Sequence, residues 1–185
     1  VTTTKRGRLS VRRTALVVEV PEVDDAVANI RRDLDPMAGK GVPPHVTVLF
    51  PFVTADQVDA DLVTRLEALF RRAPSFEQSF LDVRWFGDEV LWLASDGDEH
   101  LRSLTGLVTT QFPDYSPYGG VHAEVIPHLT VADHAPIDAM RAAEASLRPR
   151  LPIRATTTHV SLLVEQSSGH WTRESSFTLG PEASQ

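Results

Sequence analysis

One seven-residue pattern occurs twice in the chain, and it constrains the fold more than any other feature. Val42-Pro43-Pro44-His45-Val46-Thr47-Val48 and Val125-Ile126-Pro127-His128-Leu129-Thr130-Val131 agree at five of seven positions, as V-x-P-H-x-T-V, and the second histidine follows the first by 83 residues in a chain of 185. Each copy is an apolar, β-branched run introduced by proline, and each leads within ten residues into a helical pattern, so a strand-loop-helix unit is repeated. A chain built this way is expected to form two lobes related by pseudo-symmetry. In an extended strand the side chains at i and i+2 share a face, so His45 stands beside Thr47 and His128 beside Thr130.

The rest of the chain fits such a layout. Residues 14–20 read as a buried strand closed by Pro21, and Val23, Val27, Ile30 and Leu34 then follow at helical spacing. Residues 42–52 form the second strand. Thr54 to Gln57 has the form of a capping box opening a helix lined by Val58, Leu62, Leu66 and Leu69. Leu81, Val83 and Trp85 alternate with Asp82 and Arg84 as in a half-buried strand, and residues 90–94 return as its hairpin partner across Gly87-Asp88. Leu101, Leu104 and Val108 mark a third helix, and a long irregular stretch over 112–125 precedes a strand at 127–132. Pro136 opens a fourth helix with Ile137, Met140 and Leu147 on one face. Two strands, 156–164 and 171–179, end the pattern. This order predicts an α+β fold with a largely antiparallel sheet. The expected organisation is a single domain over 14–179, with a flexible basic arm at 1–13 and a short tail at 180–185.

Composition narrows the function. With 42% hydrophobic and 23% charged residues the chain is neither disordered nor fibrous. The absence of cysteine removes disulfide scaffolds, thiolate zinc sites and cysteine nucleophiles together. A net charge of −7 argues against a protein that coats nucleic acid, whose affinity comes from many lysines and arginines. Five of the 18 basic residues, Lys5, Arg6, Arg8, Arg12 and Arg13, crowd the first 13 positions, which leaves 13 basic against 25 acidic side chains for the remainder. Such an arm reads as a solvated terminus, or as a device that steers substrate. No apolar stretch approaches the roughly 20 residues of a membrane span. A cytoplasmic monomer with no membrane partner is expected.

Two imidazoles and two hydroxyls around one point suit in-line attack on a phosphodiester. One histidine accepts the proton of the attacking water or hydroxyl, the other protonates the departing oxygen, and the threonines hold the non-bridging oxygens. No metal or other cofactor is called for. His122, His128 and His134 fall at intervals of six, but this is not the spacing of a metal-binding histidine motif. The chain has no G-x-S-x-G elbow, Walker loop or dinucleotide fingerprint.

His45-Val46-Thr47-Val48 and His128-Leu129-Thr130-Val131 resemble the paired H-x-[ST]-x motifs of the 2H phosphoesterase superfamily, which includes the 2′-5′ RNA ligase-like proteins and cyclic nucleotide phosphodiesterases. The resemblance extends in element order from about residue 14 to residue 179. It implies a bilobal α+β fold, two antiparallel sheets facing a central cleft, helices outside, and both motifs on the cleft floor. It also implies metal-independent opening of 2′,3′-cyclic phosphates, or cleavage or joining of 2′-5′ linkages, with His45, Thr47, His128 and Thr130 as catalytic residues. The partner would be a small nucleotide or RNA-terminal phosphoester, as in RNA processing. Many relatives carry a basic residue shortly after the second motif; here the sequence reads Val131-Ala132-Asp133, so Arg84, Arg154 or the N-terminal arm would have to supply the missing charge.

Aromatic residues near the motifs are candidates for substrate binding. Phe50 is either core, like Phe52, or a stacking surface for a base. Tyr115 and Tyr118, on the long loop before the second motif, either anchor that loop or cover substrate. Besides the phosphodiesterase reading, a non-catalytic nucleotide- or RNA-end-binding module with the same cleft, and a metal-dependent hydrolase, stand as rival classes.

Overall fold

A computed structural model describes residues 12–120 and 125–182. Eight strands, β1 (Thr14–Glu19), β2 (His45–Leu49), β3 (Phe76–Phe86), β4 (Val90–Ser95), β5 (Leu129–Asp133), β6 (Ile153–Thr157), β7 (His159–Glu165) and β8 (Trp171–Thr178), form one curled sheet in the order β6-β3-β4-β5-β2-β1-β7-β8. All of its strand pairings are antiparallel. Four helices, α1 (Asp24–Leu34), α2 (Ala60–Phe70), α3 (Asp98–Gln111) and α4 (Ile137–Leu147), complete the α+β architecture.

The expected pair of sheets is present as two four-stranded halves, β6-β3-β4-β5 and β2-β1-β7-β8, which are continuous across the middle. The join is the antiparallel pair Val46–Leu129 between β2 and β5. These are the central residues of the two H-x-T motifs. Their side chains are 1% and 0% exposed and lie in the main core, opposite the face that carries the histidines and threonines. The helices brace the join crosswise: α1, which follows β1, packs on β5, and α3, which follows β4, packs on β2.

Local chemistry accounts for where elements stop. Prolines 43, 44 and 51 trim the second strand to His45–Leu49, because proline cannot donate to a ladder. The expected single strand over 156–164 is two strands separated by Thr158: β6 pairs with β3 in one half of the sheet, and β7 pairs with β1 and β8 in the other. The capping interaction at Thr54 is also displaced. Gln57 Oε1 accepts from the Thr54 amide at 2.8 Å, but this closes a 3-10 turn, and α2 begins at Ala60 with the Asp59 carboxylate accepting from Leu62 N. In β3 a register shift between Phe80 and Asp82 moves Leu81 out to solvent at 54% exposure while Phe80 and Val83 are buried.

Leu129 fills the core directly beneath the join, so its truncation leaves a cavity there. Leu129→Ala is expected to lower the free energy of unfolding by about 2–5 kcal/mol in urea denaturation; a loss below about 1 kcal/mol would show that the join tolerates a void.

Candidate active site

The two motif strands put four side chains on one face of the sheet. An antiparallel register through Val46–Leu129 sets His45 across from Thr130 and Thr47 across from His128, with Cα atoms of facing residues about 4.5–5.5 Å apart. All four line a cavity of about 710 Å³. Its walls are mostly apolar: Ala15 and Val17 on β1, Leu163 on β7, Trp171 at the start of β8, and Met37 and Val42 on the loop into β2. Most of these belong to a second, smaller hydrophobic cluster on the opposite face of β1 from Leu16 and Val18.

Each imidazole is oriented by its own backbone. The Nδ1 of His45 lies 2.8 Å from the carbonyl oxygen of Pro43, and that of His128 lies 2.7 Å from the carbonyl of Ile126. A carbonyl only accepts, so in both rings Nδ1 carries the proton and Nε2 is the atom left for the cavity. His128 is further held edge-on against Phe86, with centroids 4.9 Å apart, and against Trp92 at 5.9 Å.

The surroundings disfavour the imidazolium. Burial pushes the His45 pKa down to about 4, against a smaller opposing effect of the Pro43 carbonyl. Burial also lowers that of His128, with the Ile126 carbonyl opposing. Close to His45 is a buried ion pair: Arg31 and Asp35, 3% and 4% exposed, meet through Arg31 Nη2 at 2.9 Å, and the same guanidinium donates to the Val42 carbonyl at 3.1 Å. Asp35 also accepts from Met37 N at 2.9 Å. The pair thus ties the end of α1 to the segment that delivers His45. Gly41 in that segment has φ +85°, and a Cβ there would sit 2.4 Å from the His170 ring.

Of the aromatic candidates, Phe50 and Tyr118 line the cavity, whereas Tyr115 does not; it packs edge-on against Phe52 at 5.2 Å. Tyr118 has φ +51°, donates its backbone N–H to the Phe50 carbonyl at 2.6 Å, and hydrogen-bonds Thr47 through its phenol. Burial pushes that phenol's pKa up. Residues 121–124, which include His122, lie outside the described residues. Among the described residues no group of three or more His, Asp or Glu side chains is arranged to hold a metal ion.

Of the alternatives the sequence raises for the missing charge, the N-terminal arm reaches the cavity, through its last residue, Arg13. Arg84 pairs with Asp82 and lies over Trp92, and Arg154 sits on the edge strand β6; neither lines the cavity. Arg13 does, although the sequence assigns it to a flexible arm. Its guanidinium makes a two-pronged pair with Glu165, Nε to Oε2 at 2.8 Å and Nη2 to Oε1 at 2.9 Å, while its carbonyl accepts from Glu165 N. Asp133 lines the opposite half of the cleft and accepts from Nδ1 of His134 at 2.6 Å, which raises the His134 pKa. No sequence pattern marks Trp171, Asp35 or Met37: Trp171 reaches the wall through the non-local pairing of β1 with β7 and β7 with β8, and Asp35 and Met37 lie on the segment from α1 into β2.

The family model of the 2′-5′ RNA ligase superfamily matches residues 19–169, and the chain belongs to this superfamily. It is therefore placed with the 2H phosphoesterases, as an enzyme of that class with a phosphoester-related activity. Solved structures share the fold: E. coli LigT complexed with 3′-AMP (17% identity, TM-score 0.59, 92% of this chain and 99% of that one), TT0787 of Thermus thermophilus (20%, 0.63, 92% and 100%) and a protein described as a phosphoesterase (16%, 0.56, 92% and 99%). No curated protein matches the chain. No helix among the described residues is long and apolar enough to cross a membrane.

The Arg31–Asp35 pair is a buried charge couple, so removing one member strands the other. Asp35→Ala is expected to cost about 3–5 kcal/mol of stability, and Arg31→Met/Asp35→Leu to recover most of it. Urea denaturation of the single and double variants checks this; equal losses in both would refute it.

Proposed function

We propose that the cleft hydrolyses a small 2′,3′-cyclic phosphate, or a 2′-5′ or RNA-terminal phosphoester, by two-histidine acid–base catalysis without a metal. The observation that carries this reading is the pair of backbone-anchored imidazoles, each turning Nε2 to one cavity beside a threonine hydroxyl. The size of the cavity suits one nucleotide. The complexes of E. coli LigT with 3′-AMP and with NADP+ support a nucleotide as ligand.

For a 2′,3′-cyclic phosphate the step balances as follows. A water oxygen bonds to phosphorus as one histidine Nε2 takes its proton. The bond from phosphorus to the ribose 2′ or 3′ oxygen breaks, and that oxygen receives the Nε2 proton of the other, cationic histidine. The two rings exchange protonation states and reset through solvent. Thr47, whose hydroxyl also hydrogen-bonds the Tyr118 phenol, serves one non-bridging oxygen, and Thr130 serves the other. His45, with the pKa pushed down to about 4, stays unprotonated over the working range and acts as base; His128 is the acid.

These assignments predict a bell-shaped pH dependence of kcat/KM. The rate rises through about pH 4 as His45 loses its proton, and falls as His128 loses its own at a pH below the ordinary imidazole value of 6.5. An alkaline optimum would contradict the assignment. Hydrolysis of 2′,3′-cyclic nucleotides is expected to persist in chelator and to drop by about 10²–10⁴-fold in His45→Ala and in His128→Ala. Unchanged turnover in either variant overturns the proposal, and nucleotide-induced stabilisation without product would assign the cleft to binding alone.

A further inference from the structure

Among the described residues lining the cavity, Arg13 is the only lysine or arginine. It stands on the same face of β1 as Ala15 and Val17, and Val17 faces Thr47 across the β1–β2 ladder. Four residues of strand, about 13 Å, therefore separate the backbone of Arg13 from the level of Thr47. That offset places Arg13 away from the phosphorus atom held between the histidines, yet within a cavity that takes one nucleotide-sized ligand.

The guanidinium is fixed and only half used. Glu165 occupies its Nε–Nη2 edge, and the cation lies 5.6 Å from the Phe50 ring centre and 5.7 Å from that of Trp171. The Nη1–Nη2 edge, with its two outward N–H groups, has no partner among the described residues. This edge carries donors alone and has the fork geometry that matches two oxygens of a phosphate. On the other half of the cleft, Asp133 repels an anion. A ligand with a second negative group thus has one end of the cavity open to it.

We propose that the Nη1–Nη2 edge of Arg13 is a second anion site, which binds the 5′-phosphate of a nucleotide whose 3′ end lies between His45 and His128. This rests on the reading of the cleft as a nucleotide phosphodiesterase site and specifies its substrate class: a 5′-phosphorylated nucleotide, or the terminal nucleotide of a short chain, in preference to an isolated nucleoside cyclic phosphate. Arg13 acts as a specificity-determining residue.

Calorimetric titration with adenosine 3′-monophosphate and adenosine 3′,5′-bisphosphate at one ionic strength tests this. The bisphosphate is expected to bind about 10- to 100-fold more tightly to the wild-type chain, as for a charge-assisted hydrogen-bonded contact. In Arg13→Gln the ratio falls to within about twofold, and Arg13→Lys, which keeps the charge without the fork, gives an intermediate ratio. Equal affinities in the wild type, binding of neither nucleotide at millimolar concentration, or a preference that survives Arg13→Gln overturns the proposal. Turnover of 2′,3′-cyclic AMP by the same preparation separates the two readings. Discrimination without turnover removes the phosphodiesterase assignment and leaves the anion site, whereas turnover without discrimination does the reverse.

Discussion

The site depends on one backbone pairing, Val46 with Leu129. Both residues are the middle of an H-x-T triplet, so a single antiparallel pair fixes the position of six residues at once. The two apolar middles point into the core, and the four flanking polar side chains emerge on the other face. A slip of one residue in either strand would send a histidine and a threonine into the core and bring an apolar side chain into the cleft, at the cost of burying unpaired polar groups. Register and the geometry of the site are therefore the same constraint. The crossed packing of α1 on β5 and α3 on β2 reinforces it, because each helix belongs by sequence to one motif and is held by the other.

The same arrangement sets the electrostatics. Carbonyls two residues upstream hold both Nδ1 atoms, which selects one tautomer without needing a carboxylate partner for either ring. Apolar walls then disfavour the charged form, so each imidazole is poised to give up a proton. A phosphodiester monoanion arriving between them reverses that bias, since its charge favours imidazolium in the low-dielectric pocket. Under the proposed chemistry the substrate itself supplies the charge that keeps the acid protonated, and the protein contributes the fixed geometry.

The sequence made the motifs legible because their information is local: strand periodicity places His45 with Thr47 and His128 with Thr130, and helical spacing marks all four helices. What it hid was non-local. The run around Thr158, which has no glycine or proline, gives no sign that the chain passes from one half of the sheet to the other, a fact decided by partners as distant as β3 and β1. The Phe80–Asp82 register shift inverts the apparent period of Leu81, since alternation alone cannot reveal a bulge. Tyr115 and Tyr118 look equivalent on one loop, but the left-handed backbone at Tyr118 and its contacts with Phe50 and Thr47 send only that ring to the cleft. Arg13 reads as the end of a basic tail until Glu165, 152 residues away, ties it to the wall.

Charge breaks the symmetry that the motifs establish. The quartet of His45, Thr47, His128 and Thr130 is nearly interchangeable between the two halves, and a cleft of that symmetry by itself would bind a nucleotide in either direction. Arg13, paired with Glu165, lies with β1, β7 and β8 on one side, and Asp133 ends β5 on the other, so the cavity presents a guanidinium edge at one end and a carboxylate at the other. Opposed charges in a low-dielectric space cost a reversed anion far more than they would in water. Under the proposed chemistry, a protein with a net charge of −7 needs no basic surface to select a phosphoester, because the few charges inside its cleft would decide which way the ligand lies.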